Sequence, residues 1–416
     1  MSRRLIVTAV GWSFFADVVP LYEFYALLFT DNGLSGAQIS ALFAVWSIVG
    51  LLAEVPSGAL ADRFSPRLAL MAAGMLQAAG YAVWLLMPGF VGYAAGFVLW
   101  GVGGSLVSGS FEALLYDGLA AAGSADRFAR VLGWSRGAGL LAQIPAALAA
   151  TILFASGGYW LVGWVSVALC VLTAGLAWLI PPVRPPVPAQ KPTEPERTEP
   201  TQPTEPTEPT ESPGEPGEPP GEPVGYLAVL RAGVLESAAH PTVRAAVLAV
   251  AMLTGLDALD EYFSLLASGW GVPTVLIPLA TLGLPLAGAI GAALGGWANR
   301  KSTASLTMIF GCGVAALVAA AVADRPAGLI GLVVYYGLYR MVLVVADTRL
   351  QESITGPARA TVTSMASLGS EFTALALYAA WAIAGLPVAI VLIAAVAATL
   401  PRSLRGRVRR PAGAAW

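Results

Sequence analysis

Apolar residues run in long blocks along this chain, with polar residues gathered in short stretches between them. A membrane-crossing α-helix needs ~20 mostly apolar residues. Blocks of that length cover 5–29, 38–61, 68–87, 90–115, 130–154 and 158–180, then 242–267, 272–298, 304–323, 327–350, 358–383 and 385–401. The pattern predicts an all-α integral membrane protein with twelve transmembrane helices. Between the two sets of six lies "PPVRPPVPAQKPTEPERTEPTQPTEPTEPTESPGEPGEPPGEPVG". Its prolines lack backbone donors, its glutamates repel one another and it has almost nothing apolar to bury. It is expected to be an extended, disordered linker. The predicted organisation is a six-helix bundle over 1–180, a linker over 181–224, a second bundle over 225–402 and a basic tail over 403–416.

Composition agrees with a membrane solvent. The chain is 57% hydrophobic and 12% charged, against about 25% charged in soluble domains. A net charge of −2 points to no nucleic-acid partner. The first block is longer than the ~7–15 residues of a signal core and no small-residue cleavage site follows, so it is expected to stay as the first crossing. Cys170, Cys312 and the single His240 offer no metal or disulfide framework. With no catalytic triad or phosphate loop either, an enzyme is not expected, and neither is a cofactor.

Basic residues collect at alternate ends of the blocks: Arg3 and Arg4, Arg63 and Arg67, Arg127 and Arg130, the linker, Arg300 and Lys301, Arg359, and five arginines in "PRSLRGRVRR". The opposite loops contain only Arg325. Lys and Arg favour the cytoplasmic side, so both termini are expected there. The tail is also placed to touch anionic membrane lipid.

The two halves repeat. "EFYALLFTDNGLS" from Glu23 parallels "EYFSLLASGWGVP" from Glu261. "GALADR" at Gly58 to Arg63 parallels "GGWANR" at Gly295 to Arg300, and Asp117 and Arg130 have counterparts in Asp347 and Arg359. Parallel repeats joined by a loose linker are a transporter architecture.

The loop after the second block reads "GALADRFSPR". A Gly-x-x-x-Asp-Arg-x-x-x-Arg loop at that place, with its echo "GGWANRK" after the eighth block, resembles the signature of the major facilitator superfamily. The resemblance covers the chain apart from the linker. It departs locally, with Ser65 and Pro66 where a Gly and a basic residue are usual. It implies a cytoplasmic gate built from Gly58, Asp62, Arg63 and Arg67, with Arg130 and the start of the eleventh block near Ala358 as partners. It also implies that blocks one, four, seven and ten line a central cavity.

All four of those blocks carry embedded charge, which normally faces a cavity or a partner because it is expensive in lipid. Asp17 and Glu23 lie on the first, Glu112 on the fourth, Asp257, Asp260 and Glu261 on the seventh, and Arg340 on the tenth. As an α-helix, the seventh would stack Asp257 one turn before Glu261 and turn Asp260 about 100° away. Glu371 in the eleventh block and Glu54 in the second stay outside this candidate site.

Six acids against one base cannot all be ionised together in such a place, so some are expected to bind protons. The expected function is a secondary transporter for a small organic molecule, driven by a proton gradient and exporting its substrate. The fifth block has Pro145 but not the Gly-Pro pair of the superfamily's drug exporters, and the fourth lacks an arginine common in that group. The alternatives are an importer or facilitator of an organic anion anchored by Arg340, and a sensor or structural protein that kept the fold. Substrate, protons and lipid are the expected partners of a monomer. Arginine far outnumbers lysine, which suggests a GC-rich bacterial genome and a cell-membrane location.

Overall fold

The computed structural model describes residues 2–63, 65–181, 241–354 and 359–404. Side chains of 54–63 and 359–361 are outside the described set, as are the linker from 182 and the tail from 405. The described residues are helical throughout, with turns between and no strand.

The first half opens with α1 (Ser2–Asp17), a 3₁₀ turn (Pro20–Glu23) and α2 (Tyr25–Asp31). It continues with α3 (Gly36–Arg63), α4 (Pro66–Leu86), α5 (Phe90–Ala121) and α6 (Phe128–Ala177). The second half opens with α7 (Pro241–Gly255), a 3₁₀ helix (Leu256–Tyr262) and α8 (Phe263–Gly269). Short helices α9 (Ile277–Thr281), α10 (Gly283–Ala293) and α11 (Gly295–Ala298) follow, then α12 (Thr303–Ala323), α13 (Gly328–Ser353), α14 (Arg359–Ala384) and α15 (Leu386–Ser403).

Ten segments among the described residues are long and apolar enough to cross a membrane. One of them, Ala125–Ala177, has 53 residues, more than a single crossing needs. Helix α6 inside it breaks at Gly157 and Gly158, the latter at φ 58°, a conformation glycine adopts without steric penalty. It therefore holds two crossings. Helix α14, with 26 residues, is a further helix of crossing length. Together these accommodate the predicted twelve. The outer surface is apolar: Val322, Ile383 and Val91 are each at least 75% exposed. Such a surface is stable against hydrocarbon and not against water.

The two predicted crossings that start the halves are not continuous α-helices. Each is interrupted by 3₁₀ structure at the equivalent place, Pro20–Glu23 and Leu256–Tyr262. In the first, Pro20 has no N–H to give to the helix, and the Leu21 N–H goes to Ser166 Oγ at 2.9 Å. The break in the second packs against α14 so closely that a Cβ on Gly255 would strike Thr373, the Ser370 carbonyl and the Ala374 nitrogen.

The halves meet at the end of the bundle away from the N-terminus. There α2 packs on α8, the start of α3 on the end of α14, and α9 on α6. Ser40 Oγ and Tyr262 OH are 2.8 Å apart across this seam. Phe43, Tyr262, Tyr378 and Trp381 fill it, with the Tyr262 and Trp381 rings stacked at 3.9 Å.

Candidate functional site

Two cavities lie between the halves. The first, about 320 Å³, is bounded by the break after α1, by α4, α5 and α6, and by the break after α7, α9, α10 and α13. Asp17, Glu23, Asp260 and Glu261 line it, with Tyr22, Tyr25, Tyr81, Trp100, Phe263 and Tyr336 as aromatic walls. The second, about 490 Å³, lies between α3, α5, α7 and α14. Its wall carries Asp257, Asp260, Glu261 and Glu371, and is rich in hydroxyls and glycines, among them Ser47, Ser105, Ser367, Gly50 and Gly104. Neither wall includes a Lys, Arg or His.

Tyr22, Asp260 and Glu261 belong to both cavities. Glu261 is only 7% exposed. The Tyr22 hydroxyl, from the other half, points to its Oε1 at 3.4 Å, a long contact. Asp17 fits because Gly139 of α6 has no side chain; a Cβ there would overlap Asp17 Oδ2.

The acids of the second break are arranged differently from the α-helical expectation. A 3₁₀ helix has three residues per turn, so residues i and i+3 eclipse. Asp257 therefore stacks with Asp260, and Glu261 is turned away from both. Asp257 Oδ2 accepts from Arg340 Nη1 at 2.7 Å, and its Oδ1 accepts from Tyr336 OH at 3.1 Å. Arg340 is thus bound to a fixed acid and lines neither cavity.

Glu112 lies elsewhere. Its Oε1 accepts from Arg136 Nη2 at 3.2 Å, with both side chains at least half exposed. Helix α5 runs 32 residues, and Glu112 stands one turn beyond Ser108, where the cavity wall ends. Glu371, left aside from sequence, lines the second cavity and accepts a hydrogen bond from Ser47 of the other half. Its signal was present as Ser367, Ser370, Glu371 and Ala374, all of which line the wall at one helical face.

The Major Facilitator Superfamily model matches residues 5–409. The chain belongs to the major facilitator superfamily. No curated protein matches the chain significantly. Among solved structures, it resembles a bacterial homologue of the human lysosomal transporter Spinster in an inward-facing, unoccupied conformation, at 16% identity and a TM-score of 0.65, over 97% of this chain and 93% of that one. It also resembles a D-xylose–proton symporter, at 12% identity and a TM-score of 0.66 over 96% of each chain. For the nucleoside transporter NupG the identity is 12% and the TM-score 0.68, over 95% of this chain and 98% of that one. These likenesses show the fold. The superfamily match makes this facilitator a multi-pass membrane transporter.

Part of the facilitator's signature loop can be placed. The side chains of Gly58, Asp62 and Arg63, and residues 355–358 before α14, lie outside the described residues. Arg67, expected to face Arg130 and α14, is held within its own half. It donates to the Trp178 carbonyl, and its guanidinium sits 4.5 Å over the Trp178 ring. The packing of α4 on α6 brings these two together. Arg130 is exposed in the first turn of α6.

Proposed function

We propose that the protein is a proton-coupled secondary transporter that exports a small organic molecule across a bacterial cell membrane by alternating access. Both termini are cytoplasmic in this reading, as the distribution of arginines supports. The observation that carries it is Glu261: buried, shared by both cavities, and contacted across the seam by Tyr22. A carboxylate in such a place is expensive to keep ionised without a cation beside it. Glu261 therefore holds either a proton or a positively charged group of the substrate. Competition for one carboxylate produces exchange, and an inward proton gradient then drives the substrate out. The interrupted helices support the reading, because broken helices at the repeat interface are where such carriers bind their cargo.

The test uses proteoliposomes and a compound found by growth inhibition in an expressing strain. Glu261→Gln keeps the side chain's shape and removes its titration. It is expected to fold and reach the membrane, to lose flux driven by a pH gradient, and to retain substrate exchange. Unchanged gradient-driven flux would end the assignment of Glu261 as the coupling site.

A further inference from the structure

The break in the first crossing takes two backbone groups away from their helical partners. In a continuous α-helix each N–H bonds to the carbonyl four residues earlier. Val19 N–H would go to Phe15, and Leu21 N–H to Asp17. Here Val19 N–H goes to the Asp17 carbonyl at 3.0 Å instead. The Phe15 carbonyl keeps only a long bond from Val18 N–H, 3.3 Å, and Leu21 N–H has no backbone acceptor. Inside a membrane protein such groups must find partners within the protein.

Two hydroxyls of α6 supply them. Thr173 Oγ1 donates to the Phe15 carbonyl at 3.1 Å, and Ser166 Oγ accepts the Leu21 N–H at 2.9 Å. Ser166 gives its own hydrogen to the Val162 carbonyl at 2.8 Å, which leaves its oxygen free to accept. Both residues are buried. Seven positions apart, they share one face of the crossing that follows Gly158. Both sides of the break are thus tied to the same helix, by bonds that an unbroken crossing would not need. What they hold in place is what the break carries. Asp17 lies two residues after Phe15, and Tyr22 and Glu23 directly follow Leu21; all three line the first cavity. Tyr22 is also the residue that reaches Glu261. The second break is held differently. Gly255 packs on α14, and Tyr339 OH donates to the Leu253 carbonyl at 2.9 Å, ahead of the break.

We propose that Ser166 and Thr173 are positioning residues of the transport site. They touch neither cavity wall and act through the backbone of the first break, which they fix so that Tyr22 and Glu23 stand in one geometry against Glu261. The proposal rests on the transporter reading above and adds the residues that set the shape of its site.

Two measurements on the full chain test it. The first needs no substrate: hydrogen–deuterium exchange of the purified protein in detergent. Ser166→Ala and Thr173→Val remove the hydroxyls, and each is expected to speed exchange in the peptide 17–24 by ~10-fold while leaving 256–262 unchanged. Thr173→Ser keeps the hydroxyl and should match wild type. Ser403→Ala is the control, since the Ser403 hydroxyl is bonded only within its own helix, to the Thr399 carbonyl. The second is flux in proteoliposomes with the compound found by growth inhibition. Ser166→Ala is expected to raise KM ~3–10-fold with the maximal rate within about twofold of wild type. Combined with Tyr22→Phe, the two effects on KM should be non-additive by at least ~3-fold, because both act on one contact. Unchanged exchange in 17–24, or equal acceleration in 17–24 and 256–262, overturns the proposal. So does a Thr173→Ser variant that behaves as Thr173→Val, or full additivity with Tyr22→Phe. Gradient-driven flux that survives Glu261→Gln would sink the coupling reading and leave this one standing. Loss of that flux in Glu261→Gln with an unchanged KM in Ser166→Ala would do the reverse.

Discussion

Gly139 shows how a single missing side chain shapes the site. Its hydrogen stands where a methyl group would overlap Asp17 Oδ2. Gly139→Ala should push Asp17 off the first cavity or force α6 away from α1, at ~1–3 kcal/mol of overpacking. Gly137, two residues earlier on the same helix, has open space around it. Transport per unit of membrane protein is expected to fall severalfold in Gly139→Ala and to stay near wild type in Gly137→Ala. Equal activity in the two variants would mean that the position of Asp17 is irrelevant. The acids of the second break carry the same lesson. Asp257 is neutralised by Arg340, whereas Glu261 has only a long contact from Tyr22. Three carboxylates within five residues thus occupy two different electrical environments.

At the scale of the element, what matters is where α-helix gives way to 3₁₀. The breaks at Pro20–Glu23 and Leu256–Tyr262 occupy equivalent places in the two halves. They put Glu23 and Glu261 on opposing walls of one cavity. The second break is set by packing: Gly255, at its edge, lies directly against α14. Gly255→Val places branched carbon atoms where Thr373, Ser370 and Ala374 already are. A loss of roughly 3 kcal/mol or more is expected, from clash with backbone as well as side chain. Membrane abundance and monodispersity in detergent should drop sharply. Gly269→Val is the control, because Gly269 lies in the same half in open space. Normal behaviour of Gly255→Val would show that α14 yields easily and does not fix the break.

At the scale of the whole molecule, the two halves meet where α2, α3 and α9 pack on α8, α14 and α6, and the orientation proposed for them rests on charge. Single cysteines placed in "TDNGLSGA", in a background without Cys170 and Cys312, should react with an impermeant reagent from outside intact cells. Cysteines near Arg405 should react only after the membrane is opened. The reverse pattern would overturn the orientation inferred from arginine. The linker is expected to tether the bundles and nothing more. Removing most of 190–220 should leave transport within about twofold of wild type, provided the remaining chain spans the halves, since a segment of that composition has almost nothing apolar to pack. Lost transport at normal abundance would reveal a specific partner for the Thr-Glu-Pro repeat.

The sequence by itself determined the membrane class, the helical crossings, the repeat and the presence of acids in apolar blocks. These are legible because transfer into lipid acts on each segment separately, through its length and its apolar content. The superfamily was legible for a related reason: its loop motif and its order of helices are linear features. Only the tertiary structure decided which acids meet. An α-helix turns ~100° per residue and a 3₁₀ helix ~120°, so the change at Leu256–Tyr262 moved Glu261 off the face of Asp257. Packing between helices did the rest. It bound Arg340 to Asp257, left Glu112 with Arg136 beyond the cavity wall, and brought Glu371 onto that wall with Ser47 as its partner. A side chain's neighbours depend on the rotation of every helix around it, and that rotation is settled only when the bundles close.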